Sequence, residues 1–542
     1  MKPALPTDHI NPLRVVGATA LALIALLIGT AIFATRAHLV SIVSDDSFYY
    51  LQMAKNLALT GTSTFDGVTR TSGYHPLFAA VLAALYAMFR PGPDLYVHLM
   101  LTLNVVLHLM TGVMLYFAGR RLRDNVTGMI AALLFLANPY AALWTLSGME
   151  ASINGLALAL FFLALVPPVG SVGRILFAAI TGAAAVFART DNLVVAMLGA
   201  LFLFMQRDMP LRRRFAATAT VAGFAGVAMG LWILYCWSAT GDWAQGSARI
   251  KMLIREYKTL GMSPIQTALY TFGVFQTFVV KSFIKTPALK YVIAAALFAG
   301  AGRWFKTLDR KRAFLAFLAV IPFVFAFAYS IKLTRTATWY YVPAVIALTL
   351  VSACLARVLM DQPSHRAGAI ALVVALLIAA EGAGYFGVKL VRGRNAYQRD
   401  MLELAEWMQG HLPAGGVVGA WDSGIYSYYS RLRVINLDGL MNNDIAKLME
   451  ANRPLWPKWK QKGIDSVDSY ELWYAGTPSQ YWQYWRDRKI GYIVGNTRWL
   501  RGIPAEWDGG RLVTVRGPDA KFSKSPKALY EIQWQKETEP AL

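Results

Sequence analysis

The segment LRVVGATALALIALLIGTAIFAT, residues 13–35, and the acidic tract Asp45-Asp46-Ser47-Phe48-Tyr49-Tyr50 that begins ten residues beyond it decide how this chain is read. A helix crosses a bilayer core with roughly 20 apolar residues, so segment 13–35 is long enough to span one. Two adjacent carboxylates just past its end then lie near the membrane surface. Charge is costly there and usually functional.

The remaining sequence carries the same signature. Of 542 residues, 56% are hydrophobic and only 15% charged, and the mean hydropathy is +0.41. Soluble domains carry about 25% charged residues. A polytopic α-helical membrane protein is therefore expected. The formal charge of +22 does not indicate nucleic acid, because much of the Lys and Arg falls in short clusters between apolar runs, as in cytoplasmic loops. Cys236 and Cys354 lie inside apolar runs and read as packing. Segment 13–35 lacks a small-residue cleavage site and reads as a retained anchor.

Charge parity sets the topology. With 76–89 removed as too short and bracketed by Pro76 and Pro91, eleven spans remain: 13–35, 95–118, 127–146, 151–167, 173–188, 192–206, 215–237, 287–302, 313–330, 338–358 and 367–388. The N-terminus is then cytoplasmic, and the Arg120–Arg123 and Arg207–Arg214 clusters fall inside. Segment 76–89 is expected as an interfacial helix and 265–286 as a surface helix. Outer loops run over 36–94 and 238–286. Residues 1–388 form the transmembrane domain. The polar tail, 389–542, holds ten of the sixteen tryptophans. Strands are expected at Gly416–Trp421, Leu432–Leu437 and Ile490–Val494, with a helix at Ile425–Tyr429, so the tail reads as an α/β extracytoplasmic domain.

This topology gathers several polar groups on the outer face. In the Asp45-Asp46 pair, mutual repulsion raises one pKa and suits it to accept a proton; a helix N-terminus accounts for the pair equally well. Tyr74-His75-Pro76 follows on the same loop, with His75 a donor to phosphate or a water-facing helix start. Glu150 in Ser147-Gly148-Met149-Glu150 either orients a basic residue or favours a helix N-terminus. Arg189-Thr190-Asp191 is a site element or a buried structural ion pair. Arg249, Lys251 and Arg335 suit lipid phosphate, and Trp339, Tyr340 and Tyr341 sit where interface aromatics anchor. No metal-binding spacing and no Walker A sequence is present. No cofactor is assigned, and a divalent metal has no motif to support it.

Five tracts then carry a resemblance: Asp45-Asp46 with Phe48-Tyr49-Tyr50; Thr71-Ser72-Gly73-Tyr74-His75-Pro76-Leu77; Ser147-Gly148-Met149-Glu150; Ala188-Arg189-Thr190-Asp191; and Asp422-Ser423-Gly424 through Asn436-Leu437-Asp438-Gly439-Leu440. In this order they resemble the GT-C glycosyltransferase superfamily, and within it bacterial arabinofuranosyltransferase-like and protein O-mannosyltransferase-like enzymes. Two positions depart from that pattern: Thr190 stands where proline is expected, and Asn436 where an Asp is frequent. The resemblance implies a bacterial inner-membrane enzyme. It implies transfer of a sugar, arabinofuranose or mannose, from a polyprenyl-phosphate donor to an extracytoplasmic glycan, lipid or protein acceptor. Asp45 and Asp46 are the expected catalytic pair, with Asp45 favoured as the base. His75, Arg249, Lys251, Arg335 and Tyr341 are the expected donor-phosphate residues, and Tyr74, Glu150, Arg189 and Asp191 the orienting ones. The alternatives are a transporter or flippase of lipid-linked sugars and a non-enzymatic scaffold for envelope assembly.

Overall fold

The computed structural model describes residues 11–287, 290–291, 311–334, 337–361, 365–461, 463, 479–496, 506–507, 510–519 and 526–535. Seven helices among them are long and apolar enough to cross a membrane: Pro12–Phe33, Pro93–Leu122, Leu211–Thr240, Pro264–Ile284, Ala313–Ser330, Thr338–Val358 and Ala369–Arg392. The pair Asn125–Leu136 and Pro139–Leu146, bent by 55°, makes an eighth if it is one span. The chain is a multi-pass membrane protein.

The bend has a local cause. Pro139 cannot donate to the preceding turn, and Asn138 restarts the helix by accepting from the Tyr140 and Ala141 N–H groups at 2.9 and 3.3 Å. Helices of spanning length do not reach the expected count of eleven. Ala151–Leu165, Val172–Ala188 and Thr190–Phe204 are shorter apolar helices. Segment 287–302 lies outside the described residues except at 287, 290 and 291. The surface helix expected at 265–286 forms as Pro264–Ile284, and its length and composition would also allow it to span. Its two lysines, Lys281 and Lys285, fall at its C-terminal end and leave an apolar stretch before them. Pro76–Phe89 is a separate 14-residue helix with Pro76 in its first turn and His75 at its N-cap.

The acidic pair opens the helix Asp45–Thr60. Ser44 is extended, the two carboxylates occupy the first turn, where the helix dipole favours them, and Gly61 ends the helix at φ +70°. Phe48, Leu51 and Met53 lock it into the main core.

The tail contains a six-stranded mixed sheet. Its strands are β1 (Val417–Ala420), β2 (Arg433–Asn436), β3 (Tyr492–Asn496), β4 (Glu506–Trp507), β5 (Gly510–Asp519) and β6 (Lys527–Trp534), in the order β2-β1-β3-β6-β5-β4. β1 runs parallel to β2 and β3. The helix Gly424–Ser430 lies between β1 and β2 in sequence, as a parallel pair requires. β6 pairs antiparallel with β3 and β5. Trp421, Trp456, Trp459 and Trp485 are buried in this unit's core, together with Ile250, Leu253 and Tyr257 of the helix Gly246–Thr259. That helix therefore belongs as much to the tail as to the membrane helices.

Candidate active site

The two carboxylates of the pair face different ways. Asp45 points into the tail: its Oδ1 accepts from the Ile425 N–H at 2.8 Å and its Oδ2 from the Gly424 N–H at 3.1 Å. It caps the helix Gly424–Ser430 across a contact nearly 380 residues long in sequence. Burial and the nearby Asp422 charge push its carboxyl up to about 8, against the pull of the two N–H groups. Asp46 is half-buried and lines a small cavity of about 50 Å³ with Tyr50, His75, Glu150, Arg189, Lys251 and Tyr340. Burial pushes the Asp46 carboxyl up and Glu150 adds to this, while Lys251 and Arg394 pull against it; the net direction is up.

Helical spacing explains why Tyr49 and Tyr50 accompany the pair. Each stands four residues after one Asp, on the same face of the helix. Tyr49 Oη reaches the tail, donating toward Asp438 at 3.2 Å and accepting from the Ser423 N–H at 3.0 Å. Tyr50 Oη accepts from the His75 N–H at 3.1 Å.

His75 Nδ1 accepts from the Thr190 N–H at 3.5 Å, and its Nε2 stands 3.8 Å from Glu150. Burial and Arg189 push the imidazole down to about 4, so it is neutral near pH 7. With Nδ1 accepting, Nε2 carries the proton. His75 is then a hydrogen-bond donor in the cavity, not a cation. Proline at position 190 would remove the N–H that orients this ring, so Thr190 supplies a contact the expected residue could not.

Behind the cavity lies a buried ionic network. Arg189 pairs with Glu150 and holds Asp191 in a two-point contact at 3.1 and 2.7 Å. Tyr329 Oη donates to Asp191 as well. The Arg189 guanidinium stands 4.8 Å over the Tyr340 ring. Gly148 places Glu150: it sits at φ +74° against Ser47 and Met100, where a Cβ would come within 2.6 Å of Met100. Lys251 enters from the helix Gly246–Thr259 and donates to Tyr340 Oη at 2.6 Å. Burial pulls its pKa down, but Tyr340 and Asp46 outweigh burial and leave it raised, so it is a cation.

The tail closes one wall of the cavity with Leu440 and Met441. Gly73 makes the approach possible, since a Cβ there would fall 1.8 Å from the Leu440 carbonyl oxygen.

The structure thus brings Asp46, His75, Glu150, Arg189 and Lys251 to one cavity, with Asp191 bound behind it. Other expected site residues fall elsewhere. Asp45 is occupied as a cap, because the tail helix needs an acceptor for its first N–H groups. Tyr74 bonds Tyr235 Oη at 2.9 Å and packs on Trp232. Arg249 is held by Asp242 and Glu450; two residues before Lys251, it projects from a different side of the helix, into a separate cleft of about 730 Å³. Tyr341 stacks on Phe278 at 4.6 Å, and its neighbour Tyr340 takes the cavity position. Arg335 lies outside the described residues. Tyr49 and Tyr50 enter the sequence reading only within the first tract and Tyr340 only as an interface aromatic, none with a site role, and Arg394 is not singled out; the four-residue spacing from the acidic pair would have assigned the first two. Among the described residues, no group of three or more His, Cys, Asp or Glu could hold a metal ion.

Residues 389–537 match a family model described as a domain of unknown function, DUF8728. No curated protein matches the chain. Among solved structures the chain is similar to ArnT from Cupriavidus metallidurans bound to undecaprenyl phosphate. That match has a TM-score of 0.59 and 13% identity, over 96% of this chain and 97% of that one. It is also similar to the apo oligosaccharyltransferase of Archaeoglobus fulgidus, with a TM-score of 0.53 and 15% identity, over 93% and 73% of the two chains. Identities this low speak to fold alone. The chain shares the fold of these two proteins, and the resemblance carried by the five tracts agrees with them at the level of fold.

Proposed function

We propose that this protein is a membrane glycosyltransferase that moves a sugar from a polyprenyl-phosphate donor to an extracytoplasmic acceptor, with Asp46 as general base. The carrying observation is the pairing of Asp46, whose carboxyl is raised, with the cation Lys251 in one cavity of a chain with the GT-C fold. The likeness to a structure holding undecaprenyl phosphate supports a lipid-phosphate donor. In this reading the N-terminus is cytoplasmic and the tail lies outside. Eleven spans require six of the seven span-length helices, with Pro264–Ile284 staying at the surface, together with the bent pair, the three shorter helices and segment 287–302.

The reaction is a single inverting displacement. The acceptor oxygen attacks the anomeric carbon, and its proton passes to Asp46. The bond from that carbon to the donor phosphate oxygen breaks, and the electron pair leaves with the phosphate. Lys251 neutralises that charge, and His75 Nε2–H is placed to donate to it. Glu150, Arg189 and Asp191 fix Tyr340 and the cavity wall. The test is turnover of purified protein with a lipid-linked sugar: Asp46→Asn should lose it while still binding polyprenyl phosphate. Near-normal turnover in Asp46→Asn would sink the proposal.

A further inference from the structure

Lys285 follows the helix Pro264–Ile284 and is 7% exposed. Its Nζ stands 4.7 Å from the Tyr140 ring centre and 5.4 Å from that of Tyr341. Among the described residues, no oxygen is hydrogen-bonded to this ammonium. The carboxylate bonded to the Tyr140 hydroxyl, Glu381, is already committed: it takes Lys290 Nζ at 2.7 Å, Tyr140 Oη at 3.0 Å and Tyr291 Oη at 2.9 Å. Arg394 and Lys285 meet the same turn, Arg394 at Thr338 and Lys285 at Tyr341, and the charges of Arg394 and Lys281 both repel that of Lys285. The Arg394 guanidinium bonds the neutral Thr338 Oγ1 at 2.8 Å and no carboxylate among the described residues.

Arg394 is held where it is. The next residue, Asn395, donates its N–H to the Ser41 carbonyl at 2.7 Å and its Nδ2 to the Val43 carbonyl at 3.3 Å. Arg394 therefore sits between the chain leading into Asp45-Asp46 and the turn Thr338–Tyr341. Neither Arg394 nor Lys285 lines the Lys251 cavity.

Lys285 is buried and Arg394 half-buried, and although the Asp46 charge reaches Arg394, no carboxylate among the described residues is hydrogen-bonded to either cation, which is costly. Aromatic faces compensate only part of that cost. A phosphate between them would relieve the repulsion and use the planar fork of the guanidinium. The position lies at the edge of the membrane helices: Lys285 follows the apolar helix Pro264–Ile284, and Tyr140 and Tyr341 come from the bent pair and the start of a span-length helix. A phosphate carried on a lipid fits such a place better than a free ion. We infer that Lys285 and Arg394 form a second anion site, for a lipid-borne phosphate, separate from the Lys251 cavity. The inference goes beyond the proposed reaction and does not depend on which group takes the acceptor proton.

The test is lipid binding to the full chain in detergent, followed by native mass spectrometry. The probes are undecaprenyl phosphate, dioleoylphosphatidylglycerol and inorganic phosphate. At least one lipid should bind, and Lys285→Gln and Arg394→Gln should each weaken one bound equivalent by about tenfold or more. Lys251→Gln should spare that equivalent, and Lys285→Arg should retain it. Loss confined to undecaprenyl phosphate identifies a polyprenyl phosphate as the occupant. Equal loss of phosphatidylglycerol identifies a bilayer phospholipid. Inorganic phosphate competing as well as either lipid would overturn the lipid assignment. Unchanged binding in both Gln variants, or loss only in Lys251→Gln, would overturn the site. A photo-crosslinking lipid phosphate on the wild-type protein needs no variant. Adducts at 138–141, 281–286 or 338–341 support the site, and adducts only at 247–251 contradict it.

Discussion

Replacing Asp46 by Asn keeps the shape of the side chain and removes its ability to take a proton. Loss of a general base typically lowers kcat by about 10²–10⁴-fold, roughly 3–5 kcal/mol of barrier. Donor affinity should not fall, because Lys251 keeps its bond to Tyr340 Oη and the carboxylate that competes with phosphate for it is gone. Asp45→Asn provides the contrast. The two Asp45 oxygens accept from the Gly424 and Ile425 N–H groups; both can accept with the carboxyl protonated, whereas an amide offers one oxygen for the two. One buried N–H would then face an NH₂ group, at a cost of about 1–3 kcal/mol in tail docking. The assay is single-turnover transfer from a lipid-linked sugar, run alongside thermal unfolding. Asp46→Asn should lose rate at unchanged unfolding temperature; Asp45→Asn should unfold earlier and keep more of its rate. The reverse pattern, a stable but inactive Asp45→Asn beside an active Asp46→Asn, refutes the reasoning.

Other outcomes follow from the same geometry. The Asp45 carboxyl is raised to about 8 from an ordinary value near 4, so the folded state holds a proton that the unfolded state releases. Its contribution to stability is full below about pH 4 and is lost as pH rises toward 8; thermal unfolding across that range should show the decline, and Asp45→Asn should flatten it. Turnover should rise with pH as Asp46 deprotonates, with its midpoint above the ordinary carboxylate range. Because Lys251 pulls that carboxyl down, Lys251→Gln should move the midpoint higher in a pH–rate profile. Gly73→Ala forces a Cβ against the Leu440 carbonyl and should loosen the tail, seen as faster limited proteolysis of 389–542. Arg249→Gln breaks contacts with Asp242 and Glu450 on a different side of the helix from Lys251, so polyprenyl phosphate titration should give an unchanged affinity.

The sequence carries the membrane character openly, because apolar runs and cationic loops are local signals. The tail strands at β1, β2 and β3 are likewise legible from short apolar runs bounded by glycine and polar residues. The bend at Asn138-Pro139 is not, because it depends on where a proline and a capping residue fall within an apolar stretch. The site divides along the same line. The tracts ending in His75, Glu150 and Arg189-Thr190-Asp191 stand out as polar groups at the edges of apolar runs. What separates Asp45 from Asp46 is a contact with Gly424 and Ile425, far away in the chain, and adjacent residues give no hint of it. The same holds for Arg249 and Lys251, two positions apart on one helix and committed to different clefts. Lys285 and Arg394 are visible only once the fold brings them together.

The central claim is sugar transfer that depends on Asp46. Mass spectrometry of cell-envelope components tests it most directly, comparing cells that make the wild-type protein with cells that make Asp46→Asn at equal abundance. The account predicts an envelope component lighter by one sugar residue in the Asp46→Asn cells. Identical envelope masses in the two would contradict it.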